Sequence, residues 1–266
     1  MSATAFKLFE EGRLRDAVAA MSEAVKAAPA DTQVRSQLAE FLCVAGELER
    51  AERQFAAIAE QDPDAAIQAM ALRQLVRSDM MRRQVWTEGR PPEFVTDPPE
   101  HAVLRLEGLM HLREGRIAEA GSCIARAEAA RPPLAGAHDD VPFSDFRDLD
   151  DLIGGILEVM TTTGKYFWVP LEQVDEMEFS QRARVLDGAW RTVKISVRGG
   201  PDGEVVVPAI YPLIETPPRD AILLGRETNW IEVSPECVRG EGLRCFLVGE
   251  ESLSIRQLGR LTFGTP

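Results

Sequence analysis

Residues that could carry out acid–base or metal chemistry are few and scattered along this chain. The three histidines are His101, His111 and His138, and no two of them have metal-ligand spacing on one helix face. The chain has no Gly-x-Ser-x-Gly nucleophile elbow and no glycine-rich dinucleotide loop. Carboxylates are numerous, but no pair stands out from a solvated acidic surface. These patterns predict a protein without catalytic residues and without a metal site.

A single stretch, Thr163-Gly164-Lys165, has the outline of a phosphate-binding loop. Such a loop needs an upstream glycine so that backbone amides can surround a phosphate, and a serine or threonine after the lysine to hold magnesium. Val159 stands at the glycine position, and Tyr166 follows the lysine. The sequence therefore predicts that the protein binds no nucleotide, and no other cofactor is expected.

Composition and charge predict a soluble protein of two domains. The 266 residues include 43 acidic and 30 basic side chains, which gives a net charge of −13. An acidic excess of this size repels a nucleic-acid backbone, so no nucleic-acid partner is expected. No apolar run is long enough to span a membrane and no signal-peptide pattern occurs, which predicts a cytoplasmic location without a membrane partner. The four cysteines form no Cys-x-x-Cys pair and are expected to be free thiols.

One pattern recurs three times in the first half of the chain and indicates helical hairpins. Glycine is followed by leucine or isoleucine, alanine and proline at fixed spacing, in Gly12-Leu14-Ala17-Pro29, Gly46-Leu48-Ala51-Pro63 and Gly115-Ile117-Ala120-Pro132. The first two copies begin 34 residues apart, which is the period of the tetratricopeptide (TPR) repeat. Glycine permits the turn between two helices, and proline ends the second helix. The alternative is a plain helical bundle in which these glycines and prolines coincide by chance.

The repeats predict an all-helical TPR-like slab over residues 1–135, with the first helix of each hairpin on its concave side. Slabs of this kind bind helices or extended peptides there. Aligning the copies on their glycines gives the candidate groove residues Phe6, Phe9, Gln33, Ser36, Glu40, Arg105, Leu109 and Leu112. Phe6 and Phe9 are the strongest candidates, since aromatic side chains often anchor a helix in a groove. The alternative for both is packing of the first helix against the first repeat.

The repeat signature is lost between the second and third copies. Residues 65–88 have the apolar spacing of one further helix, and two proline pairs at 91–92 and 98–99 then bracket a loop. This helix carries Arg73, Arg77, Arg82 and Arg83. These arginines are expected to form a solvated face, or else a contact for an acidic partner.

Residues 136–266 are predicted to form a β-rich domain, so that the whole chain is a two-domain α+β fold. A helical stripe runs from Leu149 to Met160, and runs rich in Val, Ile, Phe and Trp follow. The predicted strands are 165–169, 176–179, 192–197, 204–209, 229–233, 243–248 and 254–258. Seven short strands suggest a small barrel or a curled sheet. Tyr166, Phe167, Trp168 and Trp230 are expected in the core, because consecutive large apolar residues on a strand need burial on both faces.

Four motifs occur together in an order that is typical of one family. They are Phe41-Leu42-Cys43-Val44-Ala45-Gly46-Glu47-Leu48, Gly164-Lys165-Tyr166-Phe167-Trp168-Val169-Pro170, Pro208-Ala209-Ile210-Tyr211-Pro212 and Leu224-Gly225-Arg226-Glu227-Thr228-Asn229-Trp230. In these motifs the chain resembles the ImpE (TagJ) family of type VI secretion accessory proteins, and the resemblance covers most of its length.

The resemblance implies a non-enzymatic accessory or adaptor protein of a contractile secretion machine. The family is associated with the N-terminal helix of the small sheath subunit (TssB, also called VipA), and some members are linked to the AAA+ ATPase that recycles contracted sheath. The repeats agree with such a partner, since they favour a bound helix or peptide. Two alternatives stay open: a TPR-like adaptor of another cytoplasmic complex, and an enzyme with a site at the domain junction. A surface cluster of Glu, Asp and His at that junction would favour the enzyme.

Overall fold

The computed structural model describes residues 2–181, 184–213 and 218–264. Over residues 2–130 the chain forms seven helices, in which α1 pairs with α2, α3 with α4 and α6 with α7. Their bounds are α1 (Ser2–Glu10), α2 (Leu14–Ala27), α3 (Thr32–Val44), α4 (Leu48–Gln61), α5 (Ala66–Glu88), α6 (Glu100–Arg113) and α7 (Ile117–Ala130). The long helix α5 packs against α4 and links the second hairpin to the third.

The three hairpin turns follow the recurring glycine and proline pattern. Gly12, Gly46 and Gly115 each lie between the two helices of a hairpin, with φ angles of +85°, +72° and +73°. A side chain disfavours this left-handed backbone, which explains glycine at the turn. The second helices end two residues before the three prolines, at Ala27, Gln61 and Ala130. The prediction of an N-terminal helical repeat region is confirmed.

Helix α5 confirms the helix predicted over residues 65–88, but its arginines do not form one solvated face. Arg73 and Arg77 both pair with Glu52 of α4, at 2.9 Å each. Arg82 is buried, 8% exposed, and points toward the β-rich half of the chain. Burial of a guanidinium requires a buried partner, so Arg82 marks a contact between the two halves.

Thirteen strands and one short helix are described after residue 135. They are β1 (Gly136–His138), β2 (Val141–Phe143), β3 (Phe146–Asp148), β4 (Ile156–Met160), β5 (Tyr166–Pro170), β6 (Val174–Phe179), β7 (Trp190–Val197), β8 (Asp202–Pro208), α8 (Asp220–Leu223), β9 (Thr228–Ser234), β10 (Cys237–Gly242), β11 (Cys245–Val248), β12 (Glu251–Ser254) and β13 (Arg260–Phe263). Short 3-10 helices at Asp151–Ile153, Leu171–Gln173 and Val185–Gly188 join some of them.

Eight of these strands form one open sheet, in the order β2-β1-β13-β6-β7-β8-β4-β5. Strands β10 and β9 form a separate ribbon, and β12, β11 and β3 form a small third sheet. The described sheets do not close, so the architecture is an open sheet and not a barrel. The loop between α5 and α6 lies along edge strand β5, where Glu93 bonds to the backbone of Tyr166 and Trp168. The α+β fold class is confirmed.

Two of the predicted elements are wrong. The stripe from Leu149 to Met160 is not one helix: Asp151–Ile153 form a short 3-10 helix, and the last five residues form strand β4, in which all five are buried. A strand buried on both faces has no polar alternation, so its apolar run matches helical spacing by coincidence. Residues 254–258 are not a strand either, because β12 ends at Ser254, and Ile255 and Leu258 are buried in the following turn.

Strand β5 separates two hydrophobic clusters. Tyr166 and Trp168 are 1% and 0% exposed and pack toward the helices, whereas Phe167 and Val169 pack into the β-rich half. This alternation is what successive residues of a strand produce. Trp230 departs from the expectation of burial, since it is 44% exposed on the two-stranded ribbon. Its ring touches that of Tyr211 edge-on, with centroids 6.0 Å apart.

Candidate protein-binding site

Glu158 is the centre of a buried charge cluster where helix α5 meets strands β4 and β5. Its carboxylate accepts hydrogen bonds from Arg82 Nε at 2.8 Å, from Trp86 Nε1 at 3.0 Å and from the Tyr166 hydroxyl at 2.5 Å. A second guanidinium, that of Arg244, lies 3.1 Å away. Burial alone would raise the pKa of Glu158, but Arg82 and Arg244 outweigh it and lower the pKa to about 2. Glu158 is therefore ionised at neutral pH.

The charge cluster continues through two aspartates beside strand β3. Arg244 Nε donates to Asp148 at 2.6 Å, and Arg239 Nε donates to Asp150 at 2.8 Å. Burial raises the pKa of Asp148 to about 6, and the nearby charge of Asp150 adds to the rise, although Arg244 opposes it. Helix α5, strands β3, β4 and β10 and the residue before β11 contribute to this cluster, which therefore ties the helices to the sheets.

The buried carboxylates are placed for structure and not for catalysis. Asp148, Asp150 and Glu158 are all 0% exposed. A general acid or base must reach its substrate within hydrogen-bond distance, which these side chains cannot do. His101 at the same junction is 1% exposed and bonds to Glu172 at 2.7 Å. Within the described ranges, no three His, Cys, Asp or Glu side chains are arranged to hold a metal ion.

Part of the concave side of the helical slab is covered by the β-rich half of the same chain. Arg105 is fully buried, where it pairs with Glu128 at 2.8 Å and donates to the backbone of Asp151. Leu109, one turn further along α6, is 3% exposed, and Leu112 is half-buried. The predicted groove positions Arg105 and Leu109 therefore lie in the interior, because the turn that holds Asp151 packs on α6.

The aromatic candidates of the first helix pack against the first repeats. Phe9 stacks on Phe41 of α3 with ring centroids 5.0 Å apart, and Phe6 meets the same ring edge-on at 5.2 Å. Both side chains are half-buried. Phe41 belongs to the second hairpin, whereas the alternative left open by the sequence was packing against the first repeat. Glu40 on α3 is half-buried beside the 3-10 helix Val185–Gly188, and burial raises its pKa while Arg184 opposes the rise.

Two of the eight candidates line an open groove. Gln33 and Ser36 of α3 lie along a groove of about 270 Å³ between α3, α4 and the start of α5. Its apolar wall consists of Phe55, Ile58, Ala65, Ala69 and Leu72, and Thr32 and Gln68 complete its polar lining. The apolar wall can pack against the apolar face of a bound helix, and the polar side chains can form hydrogen bonds with its polar edge. The structure does not bring the eight candidates into one continuous groove.

The sequence did not identify Arg82, Glu158 and Arg244 as partners. A signal was present at Glu158, which stands in the otherwise apolar run Ile156–Met160. A charge within a fully buried strand needs a counter-charge. That counter-charge comes from positions 76 residues before and 86 residues after Glu158, and spacing along the chain cannot identify contacts over such distances.

Both halves of the chain are similar to known proteins. The model of the ImpE protein family matches residues 140–262, and a tetratricopeptide repeat model matches residues 8–75. The chain is 27% identical over 226 residues to the type VI secretion system accessory component TagJ of Pseudomonas aeruginosa, which covers 85% of this chain and 80% of that protein. No helix among the described residues combines the length and apolar character required to cross a membrane.

A solved structure extends the similarity over the full length. The crystal structure of protein VPA1032 from Vibrio parahaemolyticus superposes on this chain with a TM-score of 0.92 and 30% sequence identity. The match covers 99% of this chain and 98% of that one. The arrangement of helices against sheets is therefore shared with that protein, along with the individual elements.

Proposed function

This chain belongs to the ImpE family, and on that premise we propose that it is a non-catalytic accessory protein of a type VI secretion system. Its similarity to an accessory component that carries the name TagJ supports this role. We propose that its partner is the N-terminal helix of the small sheath subunit. A link to the sheath-recycling ATPase would be a second contact of the same protein.

The open groove of the helical repeats is the observation that supports this proposal most. The β-rich half covers the concave side at α6, whereas the groove beside Gln33 and Ser36 is open to solvent. An apolar wall beside a polar edge is complementary to an amphipathic helix. Residues 8–75, which match the repeat model, include all of its lining residues. We therefore place the sheath-subunit helix in this groove.

Substitution of Ser36 by arginine tests this placement. A long charged side chain at the half-buried Ser36 would fill the groove. The N-terminal peptide of the sheath subunit should then bind at least about tenfold more weakly, a loss of about 1.4 kcal/mol. Fluorescence anisotropy of the labelled peptide measures the affinity, and thermal unfolding checks that the variant is folded.

Ser122→Arg is the matched control, because Ser122 is exposed on α7 and distant in sequence from the groove. It makes the same change of charge and size and should leave the peptide affinity unaltered. Equal affinity in Ser36→Arg and the parent chain would exclude the groove as the binding site. An equal loss of peptide affinity in both variants would show that the added positive charge alone weakens binding.

A further inference from the structure

A second cleft of the molecule is lined by arginines. It lies between helix α1, the 3-10 helix Val185–Gly188 and helix α8, and its volume is about 400 Å³. Four arginines line it, namely Arg184, Arg191, Arg226 and Arg256. Among the described lining residues, Asp187 supplies the single carboxylate. The chain as a whole has a net charge of −13, so the local charge of this cleft is opposite in sign to the net charge of the protein.

Three of these arginines are held by neutral backbone groups. Arg256 donates to the carbonyl oxygens of Leu224 and Gly225 at 2.8 and 3.0 Å. Arg226 donates to the last carbonyl groups of α1, with Glu10 O at 2.6 Å. Arg191 donates to the carbonyl of Ser180 at 2.9 Å. Carbonyl groups orient a guanidinium but leave its full charge in place.

The positive charge of the cleft is therefore only partly compensated. Arg184 pairs with Asp187 at 3.3 Å, but among the residues that the structure describes Arg191, Arg226 and Arg256 form no ion pair. Burial lowers the pKa of Arg256, and the charges of Arg191 and Arg226 lower it further. Arginine side chains in proteins are charged at physiological pH. Among the described residues, the cleft thus keeps three positive charges that no carboxylate pairs with.

We propose that this cleft binds a short acidic segment of a protein partner. Carboxylate side chains of the segment would take up the free charge of Arg191, Arg226 and Arg256, since a guanidinium binds carboxylates strongly. Phe9 and Leu224, which also line the cleft, provide an apolar wall for a neighbouring side chain of the segment. This contact is separate from the groove beside Ser36 and does not depend on which protein occupies that groove.

The backbone around the cleft favours carboxylates over a phosphate group. Phosphate sites commonly include backbone amides at the beginning of a helix. Here the groups that meet Arg226 and Arg256 are carbonyl oxygens at the ends of α1 and α8. The positive charge therefore comes from side chains alone, and the apolar wall would not contact a free phosphate ion.

A labelled peptide that alternates glutamate and leucine tests the proposal with the full chain. The peptide should bind with an affinity that falls as salt is added, and a peptide with glutamine in place of glutamate should bind at least about tenfold more weakly. Arg226→Gln should reduce binding of the glutamate peptide by a similar factor. Arg226 is exposed, so its replacement is compatible with folding, and thermal unfolding verifies this.

Arg53→Gln is the matched control, since Arg53 is exposed on α4 and the substitution changes the net charge by the same amount. It should leave peptide binding within about twofold of the parent chain. Failure of the glutamate peptide to bind, or equal weakening by both substitutions, would overturn the proposal. Inorganic phosphate that raises the melting temperature, where the glutamate peptide has no effect, would overturn it in favour of a small anion.

Discussion

Glu158 is held between two guanidinium groups in the interior, and its loss would leave both without a full counter-charge. Replacing Glu158 with glutamine should lower the free energy of unfolding at neutral pH by about 3–5 kcal/mol. Urea unfolding of both chains measures the difference. Glu60→Gln, at an exposed position of α4, removes the same charge and should change the free energy by less than about 0.5 kcal/mol.

The pH dependence of this variant follows from the lowered pKa of Glu158. The pKa falls from an ordinary value of 4.5 to about 2, so the ionised carboxylate stabilises the folded chain above about pH 4.5. That contribution is lost as the pH falls from 4.5 toward 2. The gap between the parent chain and Glu158→Gln should therefore narrow in this range. A gap that is constant down to pH 2 would contradict the ion pairs.

At the scale of single residues, the sequence predicts which side chains are buried better than it predicts which residues they contact. Tyr166 and Trp168 are in the core as expected, because a strand of large apolar side chains must be covered on both sides. Trp230 is a tryptophan like Trp168, but it lies on the two-stranded ribbon and is 44% exposed. The sequence does not determine which strand has a second layer above it. The groove candidates Arg105 and Leu109 are buried because part of the β-rich half packs on α6, which the sequence likewise does not determine.

At the scale of elements, two glycines test whether the left-handed backbone of a hairpin turn requires glycine. Both have room for a Cβ atom, but their backbone φ angles differ. Gly115 has a φ angle of +73°, whereas Gly203 on β8 does not have a positive φ angle, and neither would meet another atom if it carried a Cβ. Gly115→Ala should therefore lower the free energy of unfolding by about 1–2 kcal/mol through the left-handed backbone alone. Urea unfolding measures it.

Gly203→Ala is the control for this comparison. A glycine within a strand costs about 0.5–1 kcal/mol relative to alanine, so this substitution should leave the stability unchanged or raise it slightly. Destabilisation of the same size in both variants would show that the turn geometry at Gly115 is not responsible.

The second helices of the three hairpins were predictable from sequence because each combines a 3.6-residue apolar period with a glycine before it and a proline after it. Gly46 and Pro63 enclose α4 almost to the residue. Strand β4 was not predictable, since its residues are buried on both faces and therefore show no alternation of apolar and polar side chains. The preceding Gly154 and Gly155 were the available signal against a helix.

At the scale of the whole molecule, the charge cluster joins the helices and the sheets into one cooperative unit. Arg82 on α5 pairs with Glu158 of β4, which Arg244 also contacts, so unfolding of either half separates Arg82 from its counter-charge. Heating should therefore unfold both halves in a single transition, with calorimetric and van't Hoff enthalpies that agree. Differential scanning calorimetry measures both. Two resolved transitions would show that residues 1–135 and 136–266 are independent domains.

The relation between the two halves could not be predicted from sequence. The repeats favour a concave side that is free to bind, and nothing in their spacing shows that a later part of the chain covers it at α6. The partner contacts of α6 come from residues about 45 positions away, and those of α5 from more distant positions. Such contacts depend on how the sheet curls, which local patterns do not encode.

The chain order of the charge cluster also has a consequence for biosynthesis. Arg82 leaves the ribosome 76 residues before Glu158, and at about 5–20 residues per second this interval lasts roughly 4–15 s. Throughout it, α5 presents Arg82 without the carboxylate that neutralises it in the folded chain. The nascent helical half is therefore a natural client for chaperones until strand β4 has been made.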